Sequence, residues 1–402
     1  TEVVVNSYGH NASDIPEKRG TVLSGYFSLT NTLLGSSVLG LPYAFSQTGW
    51  LVGSILLLIC AASSAFALHT LSLCAMRLNK QEKDQADESD KPQKIVGATF
   101  YSVAKASLPQ YTLIIDIAIA LKCFGVSISY LIVVSDLMPF VASNFGATGM
   151  WIGRELWVVI GFCIGAPMCL LKDLSSLATV SSFAIVFVSF FALLVCLYGM
   201  DIDGFDPCSH RENEPCHGNI APVVLSVHSL KAMPIFVFGF TCQQNAFAVC
   251  NEMRNITIGR VNISIVGSIA TTLMFYLILA GVGYATFGSL VENDILVSYP
   301  TNYFTSIARV FISLLVLLSY PMQCHPARRC ILTIIDYCTT ISKGNNAEDN
   351  IPIVNDPNST DENCLTRRIR RICTSVTSNT TGNKHQLTLL PRTSPSHNAV
   401  FT

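Results

Sequence analysis

The sequence predicts an all-α integral membrane protein, and three observations predict it. Hydrophobic residues make up 50% of the 402 and charged residues only 13%, about half the charged share of a soluble domain. Runs of 18 or more mostly apolar residues recur along the chain, the length a helix needs to cross hydrocarbon. Two of those runs are interrupted near their middles, at 33–45 (LLGSSVLGLPYAF) and 233–247 (MPIFVFGFTCQQNAF). A net charge of −1 gives no basis for nucleic-acid binding. Residues 1–20 are polar and hold Asp14, Glu17, Lys18 and Arg19, so no cleavable signal peptide is visible; the first residue is Thr, which places the natural start upstream.

In chain order, eight spans are expected near 24–46, 50–76, 111–141, 155–172, 177–199, 223–252, 260–288 and 302–326. The domain plan is a cytosolic N-terminal segment (1–22), a transmembrane region (23–331) and a polar, disordered cytosolic tail (332–402). Orientation follows from basic residues, which favour the cytosolic side. With the N-terminus inside, the inner segments hold Lys18, Arg19, Arg77, Lys80, Lys83, Lys91, Lys94, Lys105, Arg254, Arg260, Arg328 and Arg329. The outer side keeps Arg154, Arg211 and Lys231. Residues 79–97 read as a solvated cytosolic loop. The outer loop 200–222 holds Cys208 and Cys216, which either close a disulfide in a non-reducing compartment or are two unrelated thiols.

The interruptions carry the functional signal. Irregular backbone survives in hydrocarbon only where it lines a cavity or is buried in protein. Gly35, Ser36, Ser37 and Gly40 weaken the first span, with Asn31 one turn earlier and Pro42 just after. Either these residues form a ligand site at a half-helix end, or they are a small-residue face packing on a neighbouring helix. The second interruption favours the first reading. Phe238 and Gly239, followed by Thr241, Gln243, Gln244 and Asn245, make a poor lipid-facing helix and a good polar pocket. Spans one and six are where breaks fall when a five-helix unit repeats with inverted topology.

Four blocks then carry a family resemblance: FSLTNTLLGSSVLGLPYAFSQTGWLVG (27–53), ALKCFGVSISYLIVVSDLMP (120–139), FGFTCQQNAFAVCNEM (238–253) and YPMQCHPARRCI (320–331). Together they resemble the amino acid/auxin permease family, especially its fungal-type vacuolar amino acid transporters, over about residues 20–331. The resemblance implies a LeuT-like inverted-repeat bundle with broken first and sixth helices. It also implies neutral or related amino acids as substrates, alternating access, and coupling to H+ or Na+. The asparagine before the glycine break, Asn31 here, is a cation ligand in the sodium-coupled branch, and Ser319 is the nearest hydroxyl in the eighth span; the vacuolar branch is proton-linked, so the ion stays open. Members carry about eleven spans, so this chain is expected to be C-terminally incomplete. A vacuolar or lysosomal membrane is favoured, with the plasma membrane the alternative.

On this reading the substrate carboxylate docks on amides around Ser36–Gly40. Its amino group meets carbonyls and amides from Phe238 and Gly239 through Thr241 to Gln244, and its side chain faces span three. Lys122, in the middle of span three, is either a fixed positive charge near a cation site or a tether to the broken first helix. Asp116 and Asp136 are expected to face water near opposite ends of that span. Glu252 and Arg254 end span six as a gate or as interfacial anchors. His69 and His325 lack ligand-spaced partners, so neither a metal nor a cofactor is expected. No nucleophile motif supports an enzyme. The alternatives are an amino acid sensor, which binds without flux, and a truncated family member that does not transport.

Overall fold

The computed structural model describes residues 20–88, 97–108, 111–169, 174–200, 202, 204–209, 215–224 and 226–344. Among these there is no β-strand, only an isolated bridge between Gly20 and Met253. The helices are α1 (Val22–Leu33), α2 (Ser37–Thr48), α3 (Trp50–Glu88), α4 (Phe100–Ser107), α5 (Thr112–Asn144) and α6 (Arg154–Met168). They continue with α7 (Leu174–Gly199), α8 (Val227–Gly239), α9 (Ala246–Glu252), α10 (Ile258–Phe287), α11 (Ile295–Ser298) and α12 (Tyr303–Gly344). Five of them (α3, α5, α7, α10 and α12) contain stretches long and apolar enough to cross a membrane. The first and sixth expected spans are instead helix pairs, α1/α2 and α8/α9, each split at its interruption.

Local chemistry sets the ends. Thr21 caps α1 by accepting from the Ser24 amide, and Thr257 caps α10 by accepting from Arg260. Gly288 ends α10 at φ 58°, and a Cβ there would collide with the Gly218 carbonyl, so the sharp exit requires glycine.

Three segments differ from expectation. Residues 79–88 continue α3 rather than forming a loop, because the Lys, Gln, Glu and Ala that make up most of KQEKDQADE are good helix formers and it holds no Gly or Pro; 89–96 lie outside the described residues. The loop's far end is docked, with the Ala98 amide donating to Asn79 Oδ1 and the Ala98 carbonyl accepting from Asn251 Nδ2. Helix α4 follows, opened by a reciprocal cap between Thr99 and Ser102, and its Phe100 meets Phe247 of α9 edge-on at 4.5 Å. The bundle ends at Leu332; of the residues that follow it, 333–344 are helical, and 345–402, most of the expected tail, lie outside the described residues.

Helix α10 is the spine. It packs against α1, α2, α3 and α7, while α2 packs on α8 and α5 pairs with α6. Its contact with α1 is a ladder of hydroxyls four residues apart, which lie on one helix face. Ser264 donates to the Val22 carbonyl, Ser268 to the Tyr26 carbonyl, and Tyr276 to the Leu33 carbonyl. Thr272, the rung between, is buried with no hydroxyl partner among the described residues.

Near the start of α12, Arg309 is fully buried at 0% exposure. Its guanidinium donates to the Leu296 and Tyr299 carbonyls and to Thr301, and lies 4.8 Å from the Phe140 ring centroid of α5. It thereby pins the α10–α12 connection, with α11, over the bundle. Arg309→Met should cost about 3 kcal/mol, because it strands two buried carbonyls; Arg309→Lys should recover less than half, since a point ammonium cannot match the fork. Thermal unfolding in detergent measures both.

Candidate functional site

The two breaks face each other. Residues 34–36 separate α1 from α2, and 240–245 separate α8 from α9. A Cβ on Gly35 would stand 3.0 Å from the Tyr130 hydroxyl. One on Gly239 would stand 3.0 Å from the Tyr276 ring and 3.7 Å from Ser37 Cβ. The glycines therefore allow backbone to approach backbone and phenol, as close packing of interrupted helices requires.

Between the breaks lies a small cavity lined by Thr32, Leu33, Gly35, Ser37, Lys122, Val126, Tyr130, Phe238, Thr241 and Gln323. Its volume of about 10 Å³ is room for one water at most, so the site is collapsed around nothing larger. Among the described residues neither the Ser36 nor the Ser37 amide has a hydrogen-bond acceptor, as expected at the start of α2. These amides carry the partial positive charge of a helix N-terminus.

Of the residues expected from sequence, Gly35, Ser37, Phe238 and Thr241 line this cavity, while Ser36 and Gly239 are only sequence neighbours of lining residues. Ser36 shares a hydrogen bond with Ser129 of α5 at 3.2 Å, and Ser37 one with Tyr276 at 2.8 Å. Gly40 does not reach the cavity; it packs on Ile235 of α8, the small-residue role. Gln244 sits behind the wall, where its amide donates to Gln323 Oε1 at 3.3 Å and Gln323 in turn donates to Tyr130. Lys122 lines the cavity, and among the described residues no hydrogen bond joins its ammonium to the first helix.

Asn31 and Ser319, 288 residues apart in sequence, meet directly. Ser319 Oγ lies 2.9 Å from Asn31 Oδ1, and Asn31 Nδ2 donates to Met322 Sδ at 3.2 Å. Asn245 Nδ2 donates to Thr32 Oγ1 at 2.8 Å, joining the second break to the first. Sequence reasoning left Asn245 out of the site, although it belongs to the amide cluster. It also missed Tyr276 and Arg309. The four-residue repeat Ser264, Ser268, Thr272, Tyr276 was the available signal for the former, and a lone guanidinium in the eighth span for the latter.

The charged residues sort differently from expectation. Asp116 does not face water: it is 2% exposed, in contact with Cys330, and its Oδ2 has no hydrogen-bond partner among the described residues. The reason is that α12 runs on past residue 326 and covers it. Asp136 pairs with Arg154 across the α5–α6 hairpin. At the end of the bundle where α1 begins, the Gly20 amide donates to the Glu252 carbonyl and the Arg254 amide to the Gly20 carbonyl, while Arg329 is the charged neighbour of the Glu252 side chain. This strand-like clasp ties the N-terminal segment to the end of α9. The Cys208–Cys216 pair forms a disulfide, which leaves neither sulfur as a thiolate ligand.

At the opposite end a wider cavity of about 560 Å³ opens, lined by Asp136, Phe140, Ser143, Arg154, Glu292, Asn293 and Asp294 among others. Burial first, then the Asp136 carboxylate, pushes the Asp294 carboxyl up to about 7, against the Leu296 amide and Arg309, which favour its ionised form. A carboxyl raised above its ordinary 3.8 favours the folded state when protonated, and its ionisation costs stability as pH rises towards 7. Asp294→Asn keeps the cap on Leu296 and removes the charge. Its thermal midpoint should draw above that of the unsubstituted protein from pH 4 to 7 and level off beyond, by at most about 4 kcal/mol.

Comparison with known proteins places this geometry. The family model described as transmembrane amino acid transporter protein matches residues 18–373, well past Ile331. The chain is 35% identical over 328 residues to vacuolar amino acid transporter 5 of Schizosaccharomyces pombe, covering 80% of this chain and 72% of that protein. It is 31% identical over 338 residues to vacuolar amino acid transporter 6 of Saccharomyces cerevisiae, covering 83% and 69%. A more distant relative is human solute carrier family 38 member 10, 22% identical over 315 residues, 77% of this chain and 26% of that protein. The chain belongs to the transmembrane amino acid transporter protein family.

Proposed function

We propose that this chain carries neutral or related L-amino acids across a vacuolar membrane by alternating access, driven by H+ or Na+. One observation carries the reading: the facing breaks present opposite chemistries a few ångströms apart. The Ser36 and Ser37 amides offer donors at a positive helix end, and the Gly239 carbonyl offers an acceptor beside Ser37. That pairing matches the carboxylate and ammonium of a zwitterion. Val126, Tyr130 and Phe238 supply an apolar wall for a side chain.

The two ends of the bundle support a cycling carrier. The inner end is clasped through Gly20 and Glu252, the outer end holds the 560 Å³ vestibule, and the site between is collapsed. A conformer closed inward and hollow outward is one of the states alternating access needs. The ion would enter between Asn31 and Ser319, parting their hydrogen bond, and would bias the equilibrium by binding one orientation better.

The test is uptake of each of the twenty tritiated L-amino acids into proteoliposomes under an imposed pH or Na+ gradient. Gradient-driven uptake of at least one is expected; saturable binding without flux would make the chain a sensor. Gly239→Leu should abolish uptake while leaving the protein inserted, because its side chain would strike Tyr276 and Ser37. Undiminished uptake would remove the second break from the site. Asn31→Ala should flatten the dependence of uptake on the driving ion, and unchanged ion dependence would move the ion elsewhere.

A further inference from the structure

Asn79 of α3 and Asn251 of α9 meet over the chain that leads into α4. Asn79 Nδ2 donates to Asn251 Oδ1 at 3.2 Å, Asn251 Nδ2 to the Ala98 carbonyl at 2.8 Å, and the Ala98 amide to Asn79 Oδ1 at 2.7 Å. The bonds close a ring in which the two carboxamides and residue 98 each donate once and accept once. The segment Gly97-Ala98-Thr99 fits this seat residue by residue. Gly97 has φ 77°, and a Cβ there would stand 3.0 Å from the Asn251 carboxamide carbon. Ala98 is 0% exposed, with no room for a longer side chain. Thr99 then opens α4 through its reciprocal cap with Ser102.

The seat holds the last turn of α9, the short half of the second broken helix. Helix α9 has only seven residues, Ala246–Glu252, and its other end is the break. A helix that short does not hold itself in place, so its neighbours decide whether it stays. Glu252 and Arg254, just beyond Asn251, clasp Gly20 through the backbone. Cys250, just before it, has its sulfur 3.5 Å from the Ser72 hydroxyl of α3, and Phe247 takes the edge of Phe100. The ring itself is neutral, and neutral hydrogen bonds are individually weak enough to part and re-form.

We propose that this ring is a latch: the α3–α4 connection, seated through Ala98, holds α9 in place at the end of the bundle where α1 begins, and α9 swings only when residues 97–100 leave their seat. The proposal rests on the reading of this chain as an alternating carrier and adds a control point outside the site between the breaks. The Gly20 clasp ties α9 to the N-terminal segment, whereas the latch ties it to α3, which runs unbroken from Trp50 to Glu88. Asn251 carries both of the bonds that the ring makes to α9. Whatever displaces the connection at residues 97–100 therefore sets how often that end of the bundle opens.

Cys250 reports on the latch, because it is 1% exposed and adjoins Asn251. On the full chain in detergent, peptide mass spectrometry reads its rate of labelling by N-ethylmaleimide. Asn251→Ala should quicken that rate about tenfold, while Cys123, 0% exposed in α5, keeps its own. Gly97→Ala alters only the connection and should also quicken Cys250, since its methyl group would crowd the Asn251 carboxamide. Adding Asn79→Ala to Asn251→Ala should change the rate by less than about twofold, because no bond from the ring to α9 is then left to lose. An unchanged Cys250 in Gly97→Ala, or independent effects of the two asparagines, overturns the latch. Quickening of Cys123 in step with Cys250 would mean general loosening and overturns it as well. The unsubstituted protein covers the case of variants that do not insert: along a urea series, hydrogen–deuterium exchange at 97–104 and 246–253 should rise together as one opening unit, and separate openings overturn the latch. Failure of the unsubstituted protein to move any of the twenty tritiated L-amino acids would defeat the transport reading, while labelling and exchange still decide whether the connection latches α9.

Discussion

Everything in the bundle depends on how two helix ends are satisfied where water is scarce. Stopping a helix in the hydrocarbon strands carbonyls on one side of the break and amides on the other, each costing several kcal/mol if left alone. Here the stranded carbonyls of Leu33 and Gly239 converge on the phenol of Tyr276, and α10 lines up Ser264 and Ser268 on the same face to hold the rest of α1. The continuous helix thus repairs the discontinuous ones.

Around this junction the protein uses neutral dipoles rather than charges. Asn31 with Ser319, Thr32 with Asn245, and Gln244 with Gln323 and Tyr130 form a network of amides and hydroxyls tying both breaks to α5 and α12. Such pairs are individually worth only about 1 kcal/mol, so exchanging one for a ligand or ion contact is cheap. A salt bridge in the same place would have to be broken at far greater cost. The arrangement suits a site that must empty and fill. Lys122 is the one basic or acidic side chain among the residues that line the cavity.

Charge is instead concentrated at the ends. Arg309 fastens the α10–α12 connection, Asp136 and Arg154 pair across a hairpin, and Asp294 lines the same cavity with its carboxyl pushed up to about 7. At pH well below 7 that carboxyl is protonated and this connection is at its more stable setting. The Cys208–Cys216 disulfide lies in the loop that sequence assigned to the same side, as a non-reducing compartment allows.

The sequence by itself determined the helical class and the positions where two helices break. Those are matters of local composition: an 18-residue apolar run has few alternatives to a membrane helix, and Gly35-Ser36-Ser37 or Gly239 with its amides cannot sit comfortably in lipid. Polar residues for a cavity could be read the same way, and Gly35, Ser37, Phe238 and Thr241 do line it. Which of them face the cavity depended on contacts between distant helices. Gly40 turned out to relieve packing against Ile235, Asp116 was covered by a helix running further than its hydropathy suggested, and Asn31 found Ser319 only through the fold. Tyr276 escaped because a tyrosine in an apolar helix is ordinarily packing, and its meaning lies in two carbonyls 243 and 37 residues away. Composition decides what must be buried or paired; only the tertiary structure decides with what.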